Sequence, residues 1–195
     1  MNITVLGATG MAGAAIAQEA TRRGHHVTAV SRNPQETNDP HTTVTRLDLT
    51  DLEAPLQPVL NDADAVVLAV RMAPGDESRV APLTSRVLDH AAVAGVRVLV
   101  VGGAAPLRSP HDRELLVLDD PAFVPTQWRD VASASLDQFN ACTEHPNQNW
   151  IYLSPSAVFE PGQGTGAYRR SGDTLLINHD GTSRITPADL ALAAV

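Results

Sequence analysis

Three glycines near the start of the chain have a spacing that suits the binding of a phosphate group. Gly7, Gly10 and Gly13 form the pattern G-x-x-G-x-x-G, which follows the apolar run 3–6 and precedes an alanine-rich stretch. A strand, a glycine turn and a helix in this order bind the pyrophosphate of a dinucleotide, because the first helical amides have no partner within the helix. Thr9 can add a hydroxyl donor. The alternative is a tight turn that binds nothing.

Each glycine has its own steric role in this interpretation. Gly7 lets the chain leave the strand through a backbone conformation that a side chain would oppose. Gly10 has no Cβ, so that a phosphate can approach the backbone. Gly13 lets the helix, which begins at Met11, pack tightly against the sheet. These residues are the predicted pyrophosphate site.

The end of the second predicted strand bears on the choice between NADP and NAD. A carboxylate there would bind the ribose 2′-hydroxyl of NAD, but the chain has Ser31-Arg32-Asn33. Arg32 can pair with a 2′-phosphate and stack on the adenine, and Ser31 can donate a hydroxyl. The sequence therefore favours NADP(H) over NAD(H). The alternative is that Arg32 is a solvated side chain in a turn before Pro34.

Asp48 and Leu49 follow the third predicted strand. The carboxylate of Asp48 can accept from the adenine amino group, and the amide of Leu49 can donate to the ring. The alternative is that Asp48 caps the following loop, because Asp is favoured in loops by its bonds to the backbone. Both interpretations stay open at this point.

The Tyr–Lys pair of common short-chain dehydrogenases is absent. In that pair, a Lys four residues after the Tyr lowers the pKa of the phenol for acid–base work. All fourteen Lys and Arg residues of this chain are Arg. Tyr152 and Tyr168 are followed four residues later by Ser156 and Gly172. Alcohol–ketone interconversion by a Tyr–Lys pair is therefore excluded.

Other reaction classes find little support in the sequence. The seven His residues are scattered, and Cys142 is the single cysteine, so neither a metal site nor a disulfide is expected. His111 could donate a proton from a loop, but a surface histidine is the alternative. Hydride transfer to a flavin or quinone remains compatible, because solvent can supply the proton while the protein orients the reactants. The catalytic residues are not identified.

Composition limits the class of protein. The chain has 195 residues, of which 43% are hydrophobic, and these values predict one domain with a substantial core. The formal net charge of −8 disfavours a nucleic-acid partner. The apolar runs are too short to span a bilayer, and Met1 leads directly into a strand, so we expect a cytoplasmic protein without a membrane partner.

Apolar runs alternate with helical patterns, which predicts an α/β fold with a doubly wound parallel sheet of the Rossmann type. We expect a single domain, 1–195, in which about 150–195 forms a smaller, irregular substrate-side region. The predicted strands are 2–6, 26–30, 44–47, 65–70, 97–101, 150–153 and 174–177. The predicted helices are 11–23, a short one opened by a capping box at 50–53, 77–94, 126–143, and one opened by Thr186 and Pro187. Ligands should bind beyond the carboxyl ends of the strands.

Several further segments share a pattern with one known family. They are residues 7–13, 31–34, 48–51, 100–104, 153–156, 159–162, 164–169 and 181–191. With these motifs the chain resembles the atypical short-chain dehydrogenase/reductases of the NAD(P)H-binding, NmrA-like type. Among them it is most similar to NADH–flavin reductase-like and biliverdin-IXβ reductase-like proteins. The late segments, which lie within residues 153–191, are more specific to this family than the glycine pattern.

The resemblance implies a set of cofactor contacts. The residues implied are Gly7, Thr9, Gly10 and Met11 for the pyrophosphate, Ser31 and Arg32 for the 2′-phosphate, Asp48 and Leu49 for the adenine, Ala69, Val70 and Arg71 for the ribose side, and Gly102, Gly103, Ser154 and Pro155 near the nicotinamide. The loop 104–128 would cover the substrate. The family usually continues past the last helix to another strand, whereas this chain ends at Val195.

Two functions follow from these features. The first is an NADPH-dependent reductase of a flavin, a quinone or a similar planar small molecule. The second is a non-enzymatic NADP-binding redox sensor that regulates a partner, as some NmrA-like proteins do. An enzyme that modifies nucleotide sugars or isoprenoids is disfavoured, because the C-terminal half leaves little room for a substrate domain.

Overall fold

Six parallel strands form the central sheet of the computed structural model, which describes residues 1–195. Their order is β3-β2-β1-β4-β5-β6. The strands are β1 Asn2–Leu6, β2 His26–Ser31, β3 Thr42–Arg46, β4 Ala65–Leu68, β5 Arg97–Val101 and β6 Trp150–Leu153. The order reverses between β1 and β4, and a doubly wound sheet binds its ligand at the carboxyl ends beside such a point. The predicted fold is confirmed.

Five α-helices connect and cover the strands. They are α1 Met11–Arg22, α2 Gln57–Leu60, α3 Val80–Ala94, α4 Arg129–Glu144 and α5 Pro187–Ala194. Short 3₁₀ turns precede α3 and α4 at Glu77–Arg79 and Thr126–Trp128, and another lies at Val117–Asp119. Two short strands, β7 Val158–Phe159 and β8 Arg184–Ile185, pair in parallel outside the main sheet.

Local chemistry sets the ends of several helices. Gly24 follows α1 with φ +82°, and Gly95 ends α3 with φ +70°, a left-handed conformation that glycine adopts readily. The hydroxyl of Thr186 accepts from the amide of Asp189 at 3.2 Å and caps α5, with Pro187 in the first turn. These predicted helix boundaries are confirmed.

Two predicted elements are wrong. Residues 50–53 open no helix, because the hydroxyl of Thr50 donates backwards to Asp48 Oδ1 at 2.7 Å and so closes a turn. Residues 174–177 form no strand: Thr174 makes one isolated bridge with Arg108, and the segment is otherwise irregular. The pair β7–β8 was missed because two residues are too few to show an alternating pattern.

The core lies on both faces of the sheet. One cluster joins Leu6 and Val100 to Val87 and Leu88 of α3. The other joins Val5 to Ile16 of α1 and Leu190 of α5. Adjacent residues of β1 thus point to opposite buried faces, as in a parallel sheet that is covered on both sides.

Glu19 links the last turn of α1 to α5. Its side chain is 10% exposed and accepts from Arg22 Nε and Arg23 Nε, both at 2.7 Å. Arg23 Nη2 also donates to the carbonyl of Leu192 at 3.1 Å. The hydrogen bond from Arg22 is the main reason that the pKa of Glu19 is lowered to about 2.

Replacing Glu19 with Gln removes the charge that pairs with Arg22 and Arg23, and is expected to lower the free energy of unfolding at pH 7 by about 1–2 kcal/mol. The loss is no larger because Arg22 is largely exposed, so that water screens the pair. The folded-state pKa lies below the unfolded value, so the stabilisation is full above about pH 5 and is lost as the pH falls toward 2. Urea denaturation at pH 7 and pH 3 should show the difference between wild type and variant shrinking by roughly half. The exposed Glu53 gives the control Glu53→Gln, which should change stability little at either pH. An equal loss for Glu19→Gln at both pH values would contradict the ionic contribution.

Candidate functional site

The glycine turn after β1 is held against β2. The amides of Gly7 and Ala8 both donate to the carbonyl of Val30, at 2.9 and 3.0 Å. The amide of Gly10 donates to the Gly7 carbonyl at 2.9 Å and closes the turn. The turn therefore has one fixed conformation at the carboxyl edge of the sheet.

Gly7 and Gly13 are required by close backbone contacts. Gly7 has φ +89°, and a Cβ there would overlap the carbonyl oxygen of Ala69, just past the end of β4. A Cβ on Gly13 would overlap the Gly7 carbonyl oxygen. The steric role predicted for Gly13 is corrected in one respect: its close contact is with the turn itself and not with the sheet.

The N-terminus of α1 is uncapped. The amides of Met11, Ala12 and Gly13 have no acceptor within the chain, and the N-cap residue Gly10 has no side chain to supply one. A Cβ on Gly10 would meet only Gly7 O at 3.2 Å and Ala69 O at 3.7 Å within 4 Å, and its outer side is open. Unsatisfied amides at the positive end of a helix dipole suit an anionic group such as a pyrophosphate.

Ser31 supplies a second indication of a ligand. It is 6% exposed at the end of β2, and its Oγ has no hydrogen-bond partner. Buried polar atoms without a partner are rare in proteins, so a group outside the chain is the natural partner for this hydroxyl. The residues present therefore fit the ribose end of a dinucleotide.

Ser31 lines a cavity of about 220 Å³ between the glycine turn and the loop that follows β2. Its polar lining residues are Thr9, Ser31, Gln35, Thr37 and Thr42. All five are neutral and no carboxylate lines the cavity. Sequence reasoning missed Gln35, Thr37 and Thr42, because neutral residues between two strands carry no motif. Arg32 follows Ser31 in sequence and is exposed, but it does not line the cavity, and its charge contributes to the lowered pKa of Asp48.

Asp48 holds its own loop. Its Oδ1 accepts from the amide of Thr50 at 2.9 Å and from the Thr50 hydroxyl at 2.7 Å. The pKa of Asp48 is lowered mainly by these two bonds, with smaller contributions from Arg32 and Arg79. The loop-capping interpretation is therefore observed, while Oδ2 keeps no partner within the chain and stays able to accept from a ligand. Leu49 is 5% exposed and packs in the core.

The ends of β5 and β6 lie side by side at the other end of the site. The amide of Gly102 donates to the carbonyl of Leu153 at 3.1 Å, which brings the predicted nicotinamide residues Gly103, Ser154 and Pro155 to one region. A Cβ on Gly102 would overlap the phenol of Tyr152. That contact explains the glycine after β5, which the sequence pattern alone did not.

Tyr152 is a structural phenol. Its hydroxyl donates to the carbonyl of Ser135 at 2.8 Å and accepts weakly from the amide of Gly103 at 3.4 Å. Burial raises the pKa of this phenol above its ordinary value. A partly buried phenol whose hydroxyl already donates to a backbone carbonyl is unsuited to acid–base catalysis.

Arg71 and Trp128 face each other across the carboxyl edge. The Arg71 guanidinium carbon lies 5.8 Å from the centre of the Trp128 ring, a cation–π distance. Ala69 and Val70 lie between this arginine and β4, against the glycine turn. Sequence reasoning placed Arg71 on the ribose side and assigned no role to Trp128 within the substrate loop.

Internal hydrogen bonds order the substrate loop and the late C-terminal motif. The hydroxyl of the fully buried Ser109 donates to Asp120 Oδ2 at 2.6 Å. His111 is exposed and stacks on Phe123 at a centroid distance of 5.6 Å. Asp189 accepts from the amides of Thr165 and Gly166, each at 2.9 Å. Burial would raise the pKa of Asp189, but the donors to its carboxylate outweigh burial and lower that pKa.

No group of three or more His, Cys, Asp or Glu side chains is arranged to hold a metal ion. None of the helices has the length and apolar character needed to cross a membrane.

Known proteins share this architecture and its motifs. A family model described as NAD(P)H-binding matches residues 7–195. The uncharacterized protein YwnB of Bacillus subtilis is 33% identical over 197 residues, which cover all of this chain and 91% of that protein.

Solved structures agree with this match. A Streptococcus pneumoniae protein named "putative NADH-flavin reductase" has a TM-score of 0.87 and 31% identity over 100% of this chain and 90% of its own. A Bacteroides thetaiotaomicron protein named "putative epimerase" has the same TM-score of 0.87 and 31% identity, over 99% and 88% of the two chains. Given these matches and the glycine turn, the chain belongs to the NAD(P)H-binding family, within the NmrA-like atypical short-chain dehydrogenase/reductases.

Proposed function

We propose that this protein is an NADPH-dependent reductase that delivers a hydride to a flavin, a quinone or a similar planar acceptor. The observation that carries the proposal is the uncapped glycine turn beside the partnerless, buried hydroxyl of Ser31. The name of the S. pneumoniae relative supports the flavin as acceptor. A cytoplasmic location is part of the proposal, because the reduced cofactor is available there.

The preference for NADPH over NADH is supported by the lining of the 220 Å³ cavity. Its hydroxyl and amide donors suit a phosphate, whereas a carboxylate that would prefer a ribose 2′-hydroxyl is missing. The exposed Arg32, which follows Ser31 in sequence, would supply the positive charge that a 2′-phosphate requires.

Replacing Arg32 with Glu is expected to shift the preference from NADPH toward NADH. The new carboxylate would repel a 2′-phosphate and accept from a 2′-hydroxyl, so the ratio of Kd values should change by about 100-fold, or roughly 3 kcal/mol. Titration of both cofactors by fluorescence measures that ratio. Arg97→Glu makes the same charge change at the start of β5, at the edge of the sheet opposite the site, and is the control. An unchanged ratio in Arg32→Glu would show that Arg32 is merely a surface charge.

The residues at the nicotinamide end would orient the reactants. When bound, NADPH supplies a hydride from C4 of its nicotinamide, and the acceptor takes that hydride together with one proton. The missing side chains of Gly102 and Gly103 let Tyr152 and Ser135 pack directly against the end of β5, which gives this end of the site a fixed wall. The Tyr152 hydroxyl already donates to the carbonyl of Ser135, so we expect the proton for the acceptor to come from solvent.

The test of the function is NADPH oxidation at 340 nm by the purified full chain, with FMN, riboflavin and a soluble quinone offered separately. Oxidation well above the protein-free rate, saturating with one acceptor, is the expected result. Failure with all of these acceptors, despite measurable NADPH binding, would overturn the reductase assignment.

An NADP-binding redox sensor is the second candidate. It is favoured by the absence of a titratable side chain among Gly102, Gly103, Ser154 and Pro155. A sensor should bind NADP⁺ and NADPH with clearly different affinities and should hold a protein partner in only one of the two states. Equal affinities for the two forms would remove this candidate.

A further inference from the structure

We propose that Arg71 and Trp128 form the acceptor subsite and that they select a planar aromatic acceptor that carries an anionic group. This inference rests on the proposed reductase function and narrows its substrate class. Arg71 would pair with a phosphate or carboxylate, and Trp128 would stack on the ring system.

The position of the pair follows from two backbone contacts. The chain after β4 packs on the glycine turn, since a Cβ on Gly7 would lie 3.1 Å from Val70 Cγ2, and Arg71 is the next residue. Trp128 immediately precedes α4, whose Ser135 lies against the end of β5, 2.7 Å from where a Gly103 Cβ would be. The pair therefore connects the segment that packs on the pyrophosphate turn to the start of the helix that packs on Gly103.

Arg71 is available to an anion. Its guanidinium lies against the Trp128 ring, and no carboxylate of the chain forms an ion pair with it. The neighbouring Arg129 is different, because it pairs with Asp119 at 2.7 Å and also donates to the carbonyl of Leu118. In a chain with a net charge of −8, an arginine without a carboxylate partner beside the cofactor turn is suited to hold a ligand anion.

The indole of Trp128 is free to stack on an aromatic ligand. The residue is 52% exposed although it is large and apolar. A guanidinium against an aromatic face holds the ring in place and keeps the N–H edge of the guanidinium free for bidentate hydrogen bonds. An exposed, held indole is a stacking surface for a flat aromatic ligand. Together the two side chains match a ligand that has both a ring system and a negative charge.

FMN and riboflavin separate the two features, because they share one ring system and differ in a phosphate. The full chain is saturated with NADP⁺ and titrated with each flavin by fluorescence quenching, and NADPH oxidation is measured with each. Wild type should bind FMN about tenfold more tightly than riboflavin, and Arg71→Gln should reduce that ratio at least fivefold, through the loss of a charge-assisted pair. Trp128→Leu should weaken both flavins about equally, and Trp128→Phe should restore most of the binding. The control is Arg97→Gln, which removes an arginine at the opposite edge of the sheet and should keep the wild-type ratio.

The outcomes distinguish this inference from the function on which it rests. Equal affinity for FMN and riboflavin, or an unchanged ratio in Arg71→Gln, overturns the inference whether or not a hydride is transferred. A loss of NADP⁺ affinity in Arg71→Gln with an unchanged flavin ratio would assign Arg71 to the cofactor ribose and would also overturn it. Selective FMN binding without NADPH oxidation would instead retain the subsite and refute the reductase.

Discussion

Replacing Gly10 with Val is expected to abolish NADPH binding and to leave the protein folded. The backbone at Gly10, φ −76° and ψ 164°, is an extended conformation that valine adopts readily. Around the added Cβ only Gly7 O at 3.2 Å and Ala69 O at 3.7 Å lie within 4 Å, so the turn must shift by a few tenths of an ångström, which lowers stability somewhat but keeps the fold. The rest of the side chain would extend over the free amides of α1, where the pyrophosphate is proposed to bind.

The size of the effect follows from the bonds that would be lost. A pyrophosphate held away from three helical amides loses charge-assisted hydrogen bonds worth roughly 3 kcal/mol or more, which is at least about 100-fold in Kd. Fluorescence titration measures Kd, and circular dichroism confirms the fold. Gly172→Val is the matched control, since no atom lies within 4 Å of a Cβ there. Normal titration of NADPH by Gly10→Val would refute the site.

Replacing Gly13 with Ala is expected to destabilise the protein by about 3 kcal/mol, although glycine-to-alanine changes inside helices usually stabilise by up to about 1 kcal/mol. The sign reverses because the new methyl group would overlap the carbonyl oxygen of Gly7, and the nearest atoms, in Gly7 and Ala8, are backbone atoms that cannot rotate away. Either α1 or the turn must move, and both are anchored in the buried cluster around Ile16.

The measurement is urea denaturation followed by circular dichroism. Gln18→Ala introduces alanine at an exposed position of the same helix and should change the free energy of unfolding by less than about 0.5 kcal/mol. A stabilised Gly13→Ala variant would show that the helix and the turn are not packed as the structure has them. Because Gly10 and Gly13 are only three residues apart, the contrast between lost binding and lost stability tests the two glycine roles separately.

Local patterns predicted the framework of this fold well. The bounds of β1, β5 and β6 agree with the sequence prediction, because each is an apolar run ended by a glycine or a polar turn. The glycine turn was also predictable, since the amides and the strand that position it lie within a few residues of one another in sequence.

Features that depend on distant residues were not predictable. The overlap that requires Gly102 comes from Tyr152, fifty residues later, and the Arg71–Trp128 pair joins two separate loops. The cavity beside Ser31 forms only when the irregular loop after β2 folds back against β3. The helix predicted at Thr50 is wrong for a local reason. The Thr50 hydroxyl could either cap a helix or bond to the preceding Asp48, and in the structure it bonds to Asp48 and closes a turn.

The packing of α5 on α1 has a consequence for the order in which the protein becomes functional. Leu190 and Ala191 complete the buried cluster around Ile16, on the helix that presents its free amides to the cofactor. During synthesis the chain emerges from its N-terminus, so the glycine turn is made early but lacks this support until residues 187–194 have left the ribosome. The helix that presents these amides therefore gains its full packing only after α5 has been released. Cofactor binding is thus expected to be a late event in the maturation of this protein.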